Sequence, residues 1–232
     1  MNSLGTALVI GSGGIGAALA NALEKSGDFA RVITLGRSST PRVDYTDEAT
    51  LADAAAWLAS ECAAAPLRLI IVASGILHKD GRGPERSWAQ LDATYLAEVF
   101  AINAIGPALV IKHFFPLLPK EGAATVAMIS AKVGSIGDNA LGGWYGYRAS
   151  KAALNQLVKT ASIELTRRNK LSICVALHPG TVATALSLPF AKAGLSVRPA
   201  AEAAADLLRV VHSLTPAVTG EFFDYQGAKL PW

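Results

Sequence analysis

The hexapeptide Gly11-Ser12-Gly13-Gly14-Ile15-Gly16, lodged between an apolar run at residues 7–10 and an alanine-rich stretch at 15–26, restricts the possible folds more than any other segment. An apolar strand must end there in a tight turn, and a helix must begin at once. Read as GxGxxG in Gly11, Gly13 and Gly16, the missing side chains let the backbone come close to a pyrophosphate. Unpaired N–H groups and the positive end of the helix dipole then face that anion. The alternative reading is that the glycines only ease packing of the helix on the strand. Strand, glycine turn and helix in this order are the setting a dinucleotide site requires.

The alternation continues along the chain. Apolar, β-branched or leucine-rich runs at 7–10, 31–35, 67–73, 125–130, 171–177 and 221–223 read as strands. Helical spacing marks 15–26, 48–64, 89–118, 145–168 and 199–213. Because the strand runs lack polar alternates, they suit a parallel sheet buried on both faces by right-handed crossovers. The expected fold is α/β: a Rossmann-like doubly wound parallel sheet of about seven strands, in three α/β/α layers. No repeat or linker interrupts residues 1–232, so one dinucleotide-binding domain is expected.

Composition narrows the partners. With 232 residues, 51% hydrophobic, and 21 Lys plus Arg against 18 Asp plus Glu, the chain is neither disordered nor a nucleic-acid binder. Cys62 and Cys174 are isolated thiols, which fits a reducing cytoplasm better than disulfides. No basic residue precedes the first apolar run, which argues against a secretory signal. No uncharged apolar run reaches the ~18 residues of a membrane span, and the best candidate, 99–111, contains Asn103, Gly106 and Pro107. The four histidines lack ligand spacing, so no metal is expected, and His178 before Pro179 reads as structural although near the pocket.

An NAD site would place Asp or Glu at the end of the second strand. The chain has Leu35-Gly36-Arg37-Ser38 there, and a guanidinium beside a hydroxyl suits a ribose 2′-phosphate. The cofactor expected is NADP(H).

Tyr147 and Lys151 stand four apart at the head of a helix beginning near Trp144, so they share a face. At about 5.5 Å and an effective dielectric of about 20, an ammonium favours phenolate by roughly 3 kcal/mol, drawing a phenol from about 10 toward about 8. Such a tyrosine passes a proton to or from a carbinol oxygen while hydride moves. Tyr225 and Lys229 repeat the spacing, but Gly227 and Pro231 argue against a helix there.

The glycine turn, Asn103 in AINAIG, Tyr147 and Lys151 in YRASKAAL, and Pro179-Gly180 after a strand together resemble the short-chain dehydrogenase/reductase family, along essentially the whole chain. The segments SAKVGSIGDNALGGWYGYRASKAALN and GEFFDYQGAKLPW are similar to its C-factor and Sniffer-like carbonyl reductase branch. The resemblance implies that Tyr147 is the general acid or base and that Lys151 holds the nicotinamide ribose and lowers the tyrosine pKa. It implies that Asn103 holds a water of a proton relay, the other reading being a helix-interior Asn bonded to backbone. Pro179, Gly180, Val182 and Thr184 match PGxVxT and are implied to meet the nicotinamide carboxamide or phosphates. Asp44, with Tyr45 beside it, resembles the aspartate that contacts adenine, or else caps the following helix.

Three departures stand out. The glycine turn is one residue shorter than the family GxxxGxG. NNAG is replaced by Val72-Ala73-Ser74-Gly75, which keeps Ala73, Ser74 and Gly75 as small residues beside the cofactor. Ala131 occupies the place of the catalytic serine, flanked by Ser130 at a strand end and by Ser135, and Ser130 is favoured as the substitute. Residues 185–198 match a substrate lid whose apolar character suits a small carbonyl or alcohol substrate. By analogy, helices 89–118 and 145–168 would pack in a homodimer or homotetramer. The reading is an NADP(H)-dependent oxidoreductase; the competing one is an NADP(H)-binding signalling or sensor protein without turnover.

Overall fold

The structure, a computed structural model, describes residues 5–187 and 197–232. Six strands, β1 (Thr6–Ile10), β2 (Arg31–Leu35), β3 (Leu67–Val72), β4 (Ala124–Ile129), β5 (Ser172–His178) and β6 (Phe222–Asp224), form one sheet in the order β2-β1-β3-β4-β5-β6. Every neighbouring pair is parallel. About seven strands were expected, and six are found among the described residues. The difference arises beside β2. Residues 36–47 fold back on themselves, with the Val43 N–H donating to the Gly36 carbonyl at 2.9 Å, and lead straight into the next helix. A further parallel strand needs a crossover of a dozen or more residues, for which this segment has no length.

Residue alternation builds two cores from one sheet. Leu8, Ile10, Ile70, Val72, Val126, Met128, Cys174 and Ala176 face α2 (Glu48–Glu61), α4 (Gly106–Phe114) and α5 (Tyr145–Arg168). Ala7, Val9, Leu69, Ile71, Ala127, Ile129, Val175 and Leu177 face α1 (Gly14–Ser26) and α6 (Ala200–Ser213). This is the three-layer arrangement that uninterrupted apolar strands require. Each fully buried leucine or phenylalanine, such as Leu8 or Phe114, contributes about 1.5–3 kcal/mol.

The stretch expected as one helix at 89–118 is segmented. After a short turn, α3 (Ala93–Phe100) starts with Asp92 accepting from the Tyr95 N–H at 2.8 Å, and a π turn at Ala101–Ile105 joins it to α4. Pro107 supplies the reason: it lacks the N–H that an α-helix would bring to the Asn103 carbonyl, so the ladder widens. By length and composition alone, the helix at 93–117 could cross a membrane. Its residues Val99, Val110 and Phe114 are instead buried within the protein.

The order of strands reverses direction at β1 and β3. Gly11 donates to the Leu35 carbonyl and Ala73 to the Ile10 carbonyl, each at 2.8 Å, so the turns leaving β1 and β3 meet. Open parallel sheets bind ligands at the carboxyl ends of strands at such a switch point.

Candidate active site

A cavity of about 620 Å³ opens at that rim. Its walls come from turns after five strands: Gly13, Gly14 and Ile15; Arg37; Ala73, Ser74 and Gly75; Ser130, Ala131, Lys132 and Val133; and His178, Pro179, Gly180, Val182 and Thr184. Trp144, Tyr147 and Lys151 at the start of α5 close it.

Within the glycine turn the roles separate. Gly11 has φ +115°, and a Cβ on Gly16 would lie 1.8 Å from the Gly11 carbonyl oxygen. These two glycines allow close packing and do not line the cavity. Gly13 and Gly14 do line it. Helix α1 begins at Gly14 with no side-chain cap and no acidic residue in its first turn, which leaves its first N–H groups for another acceptor. A Cβ on Gly14 would stand 2.7 Å from the Thr184 methyl, so the first turn and the turn after β5 touch across the opening. Ser12 is exposed and packs beside Gly36, where a Cβ would lie 3.0 Å from the serine oxygen. Arg37 reaches the cavity wall, whereas Ser38, although exposed, does not line it.

Asp44 and Tyr45 lie outside the cavity. The Asp44 carboxylate accepts from the N–H and hydroxyl of Thr46 at 3.0 and 2.7 Å and pairs with Arg42, which together hold it at about 2. The cap of α2 is Asp47, so Asp44 does not have that role either. Tyr45 is buried against Gly106, and its hydroxyl donates to Ser74 at 3.1 Å, which in turn donates to the Ile10 carbonyl at 3.2 Å. The pair fastens the turn after β3 from behind.

Tyr147 and Lys151 share the cavity face of α5, with the amine 6.0 Å from the ring centre. Their electrostatics differ from the sequence expectation. Burial pushes the Tyr147 phenol up to about 12 and the Lys151 amine down to about 8. The Lys151 Nζ donates to the Ile129 carbonyl at 2.9 Å instead of bonding the phenol. At this partly enclosed wall of the cavity desolvation outweighs the attraction calculated for an open helix surface, and Tyr147 keeps its proton. The second pair behaves as expected. Lys229 lies on a turn returning toward Phe223 and pairs with Glu221 at 2.8 Å, not on a helix with Tyr225.

Asn103 is fully buried in the π turn and outside the cavity lining. Its amide donates to the Ile76 carbonyl at 2.8 Å and to Ser150 Oγ at 3.1 Å, and its Oδ1 accepts the Ile76 N–H at 2.8 Å. Ser150 donates onward to the Tyr147 carbonyl at 2.9 Å. This chain of bonds ties the turn after β3 to the helix that carries Tyr147 and Lys151. One acceptor position on Oδ1 remains. A Cβ on Gly75 would stand 3.3 Å from Oδ1 and 3.4 Å from Lys151 Nζ, so glycine leaves a gap between them.

Of the serines flanking Ala131, Ser130 lines the cavity and Ser135 does not. The Ser130 hydroxyl donates to Asn155 Oδ1 at 2.6 Å, whereas Ser135 bonds Asp138 N–H and the Trp232 carbonyl. The Asn155 amide donates to the Gly134 carbonyl. Gly134 itself is required for contact, because a Cβ there would meet Lys151 Cβ at 2.8 Å. Gly180, at φ +77°, turns the chain after β5, and Val182 pairs with Arg198. Burial lowers His178 to about 4, leaving a neutral imidazole at pH 7. Of the segment 185–198, Ala185, Leu186 and Ser187 line the cavity, while 188–196 lie outside the described residues. No group of three His, Cys, Asp or Glu side chains suited to a metal occurs among the described residues.

Sequence reasoning missed the walls made by Leu77, His78, Lys132, Val133 and Trp144. It also missed Ser150 and Asn155, whose positions one turn along from Tyr147 and Lys151 were the available signal.

Comparison with known proteins follows the same lines. The family described as short chain dehydrogenase matches residues 5–193. The C-signal protein of Myxococcus xanthus is 39% identical over 142 residues, covering 61% of this chain and 81% of that one. A 1-hydroxy-2-glutathionyl-2-methyl-3-butene dehydrogenase of Rhodococcus sp. (strain AD45) is 33% identical over 205 residues, covering 88% and 85%. The NADPH-bound carbonyl reductase from chicken fatty liver superposes with a TM-score of 0.87 at 25% identity, covering 99% of this chain and 95% of that chain. The sheet, the rim cavity and these matches agree: the chain belongs to the short-chain dehydrogenase family and is an oxidoreductase of the dehydrogenase/reductase kind.

Proposed function

We propose that this protein is an NADP(H)-dependent reductase of small, apolar carbonyl compounds, running in reverse on the corresponding alcohols. The observation that carries the reading is convergence. A glycine turn with open N–H groups, Arg37, and the Tyr147–Lys151 pair front one cavity. The chain fits the cofactor on its own chemistry: the uncapped α1 start suits a pyrophosphate, and Arg37, with no carboxylate at the end of β2, suits a 2′-phosphate. An NADPH-bound relative structure supports the same choice. Bound NADPH supplies the hydride.

The residues of the chain handle the proton. Tyr147, held at about 12, is protonated throughout the neutral range and donates to the alkoxide oxygen that forms on the substrate. Lys151, at about 8, is charged by about ten to one at pH 7 and offsets the phenolate left behind. The gap beside Gly75, between Lys151 Nζ and Asn103 Oδ1, suits a water that returns a proton. Ser130 is the hydroxyl placed to steady the substrate oxygen, after release from Asn155. Leu77, Val133, Trp144 and Leu186 give the substrate side an apolar wall. One domain, a cytoplasmic setting and a homodimer or homotetramer packed through the helical stretches 89–118 and 145–168 complete the reading; Ile105 and Ile163 are exposed on these stretches.

The test is NADPH consumption against a panel of ketones and aldehydes. Wild type is expected to turn over some of them, and Tyr147→Phe to lose ~10²–10⁴-fold while still binding NADPH. A second reading is favoured by Ala131, by the engaged Ser130 hydroxyl and by likeness to the C-signal protein: a sensor that binds NADP(H) without turnover. Tight NADPH binding with no substrate-dependent consumption in either protein selects it.

A further inference from the structure

We infer that Glu85 is a positioning residue for the reacting tyrosine, acting through the first turn of α5; this rests on the reductase reading of Tyr147. Helix α5 begins without a cap of its own. Trp144, at its N-cap, has φ +55° and gives no side-chain cap bond, and the first turn carries no acidic residue. Glu85, sixty-one residues before Gly146 and in the loop following β3, fills that place. Its main-chain carbonyl accepts the Trp144 N–H at 2.5 Å, and its Oε2 accepts the Gly146 N–H at 3.0 Å. One residue thus grips the helix immediately before Tyr147 by main chain and side chain together.

The surroundings are built for that approach. Glu85 is only 3% exposed, and a Cβ on Gly146 would lie 3.0 Å from its Oε1, so a side chain at 146 would press on the carboxylate. Oε1 is buried without a hydrogen-bond partner among the described residues. A buried carboxylate is stabilised at the positive end of a helix, whereas elsewhere in the interior it would be costly. Gly142 and Gly143, at φ +64° and +66°, precede Trp144 in the same left-handed region. Arg148 holds this run by donating to the carbonyls of Gly143, Gly142 and Val133 at 3.0–3.3 Å. A left-handed tryptophan is strained and persists only when its neighbours hold it. The Trp144 ring then meets Tyr147 edge-on at 6.2 Å, and both line the cavity. Glu85 sets where both rings stand without touching the cavity itself.

Length, not charge, is the discriminating property. Glu85→Gln keeps an oxygen at the same reach, while Glu85→Asp keeps the charge and falls short by one methylene. In the full-length protein, Glu85→Asp is expected to lower kcat by at least tenfold with NADPH affinity within twofold, and Glu85→Gln to stay within threefold of wild type. Near-ultraviolet circular dichroism reads the Trp144–Tyr147 pair without turnover: Glu85→Asp should remove the component that Trp144→Phe removes, and Glu85→Gln should retain it. Equal effects of the two variants, or an unchanged spectrum in Glu85→Asp, overturn the assignment. A wild type that consumes no NADPH with any carbonyl overturns the reductase reading instead, and the spectra still decide the role of Glu85.

Discussion

Replacing Lys151 by methionine should make the protein more stable and inactive at once. Burial lowers the amine from 10.5 to about 8, and a tenfold change in a protonation equilibrium is about 1.4 kcal/mol, so housing the ammonium costs the fold about 3 kcal/mol at pH 7. Methionine keeps an unbranched stem in the same wall and removes the charge. The bond to the Ile129 carbonyl is lost, but this wall faces the cavity and water replaces the amine there at about 1 kcal/mol. The balance is a gain of about 2 kcal/mol, or roughly 4–8 °C in midpoint for a domain of this size. The unfolded chain binds more protons than the native one between about pH 8 and 10.5, so wild-type stability rises with pH across that window. The advantage of Lys151→Met is therefore full below pH 8 and fades by pH 10.5. Urea unfolding of both proteins without cofactor at pH 7 and pH 10 measures it. A variant no more stable than wild type at pH 7, or a difference equal at both pH values, refutes the burial argument.

Arg37→Ala should weaken NADPH binding by at least tenfold and NADH by less than twofold in fluorescence titrations; equal losses would remove the 2′-phosphate contact. Carbonyl reduction should fall about tenfold per pH unit above about pH 8 as Lys151 loses its proton, with Lys151→Arg shifting the fall upward; a flat profile to pH 10 contradicts the role of the ammonium. Gly16→Ala places a Cβ 1.8 Å from the Gly11 carbonyl and should cost about 1–3 kcal/mol in unfolding experiments, while Gly13→Ala, with open space around it, should leave the midpoint almost unchanged.

The layered sheet was legible because parallel strands buried on both faces leave an unmistakable apolar record, and Leu67–Val72 or Ser172–His178 admit little else. The tight turn at Gly11 and Gly16 and the shared face of Tyr147 and Lys151 were legible for a related reason, since local spacing dictates them, whereas Gly11 and Gly16 stand behind the cavity and not on its lining as expected. Three features were not. The count of strands depended on how residues 36–47 turn back, which a bond between Gly36 and Val43 decides. The protonation of Tyr147 depended on how much protein surrounds it, which pair spacing cannot report. Asp44 carries the right residue type at a suggestive place, but Thr46 and Arg42 already surround its carboxylate.

The cavity wall is drawn from segments that leave consecutive strands and make few demands on the layer beneath. Such a rim can be rewritten piece by piece. Alanine at position 131 shapes one panel of the wall, while the helix bearing Tyr147 rests on β5. Descendants of this chain that accept bulkier or more polar compounds should therefore differ at Leu77 or Val133 and keep the apolar strands unchanged.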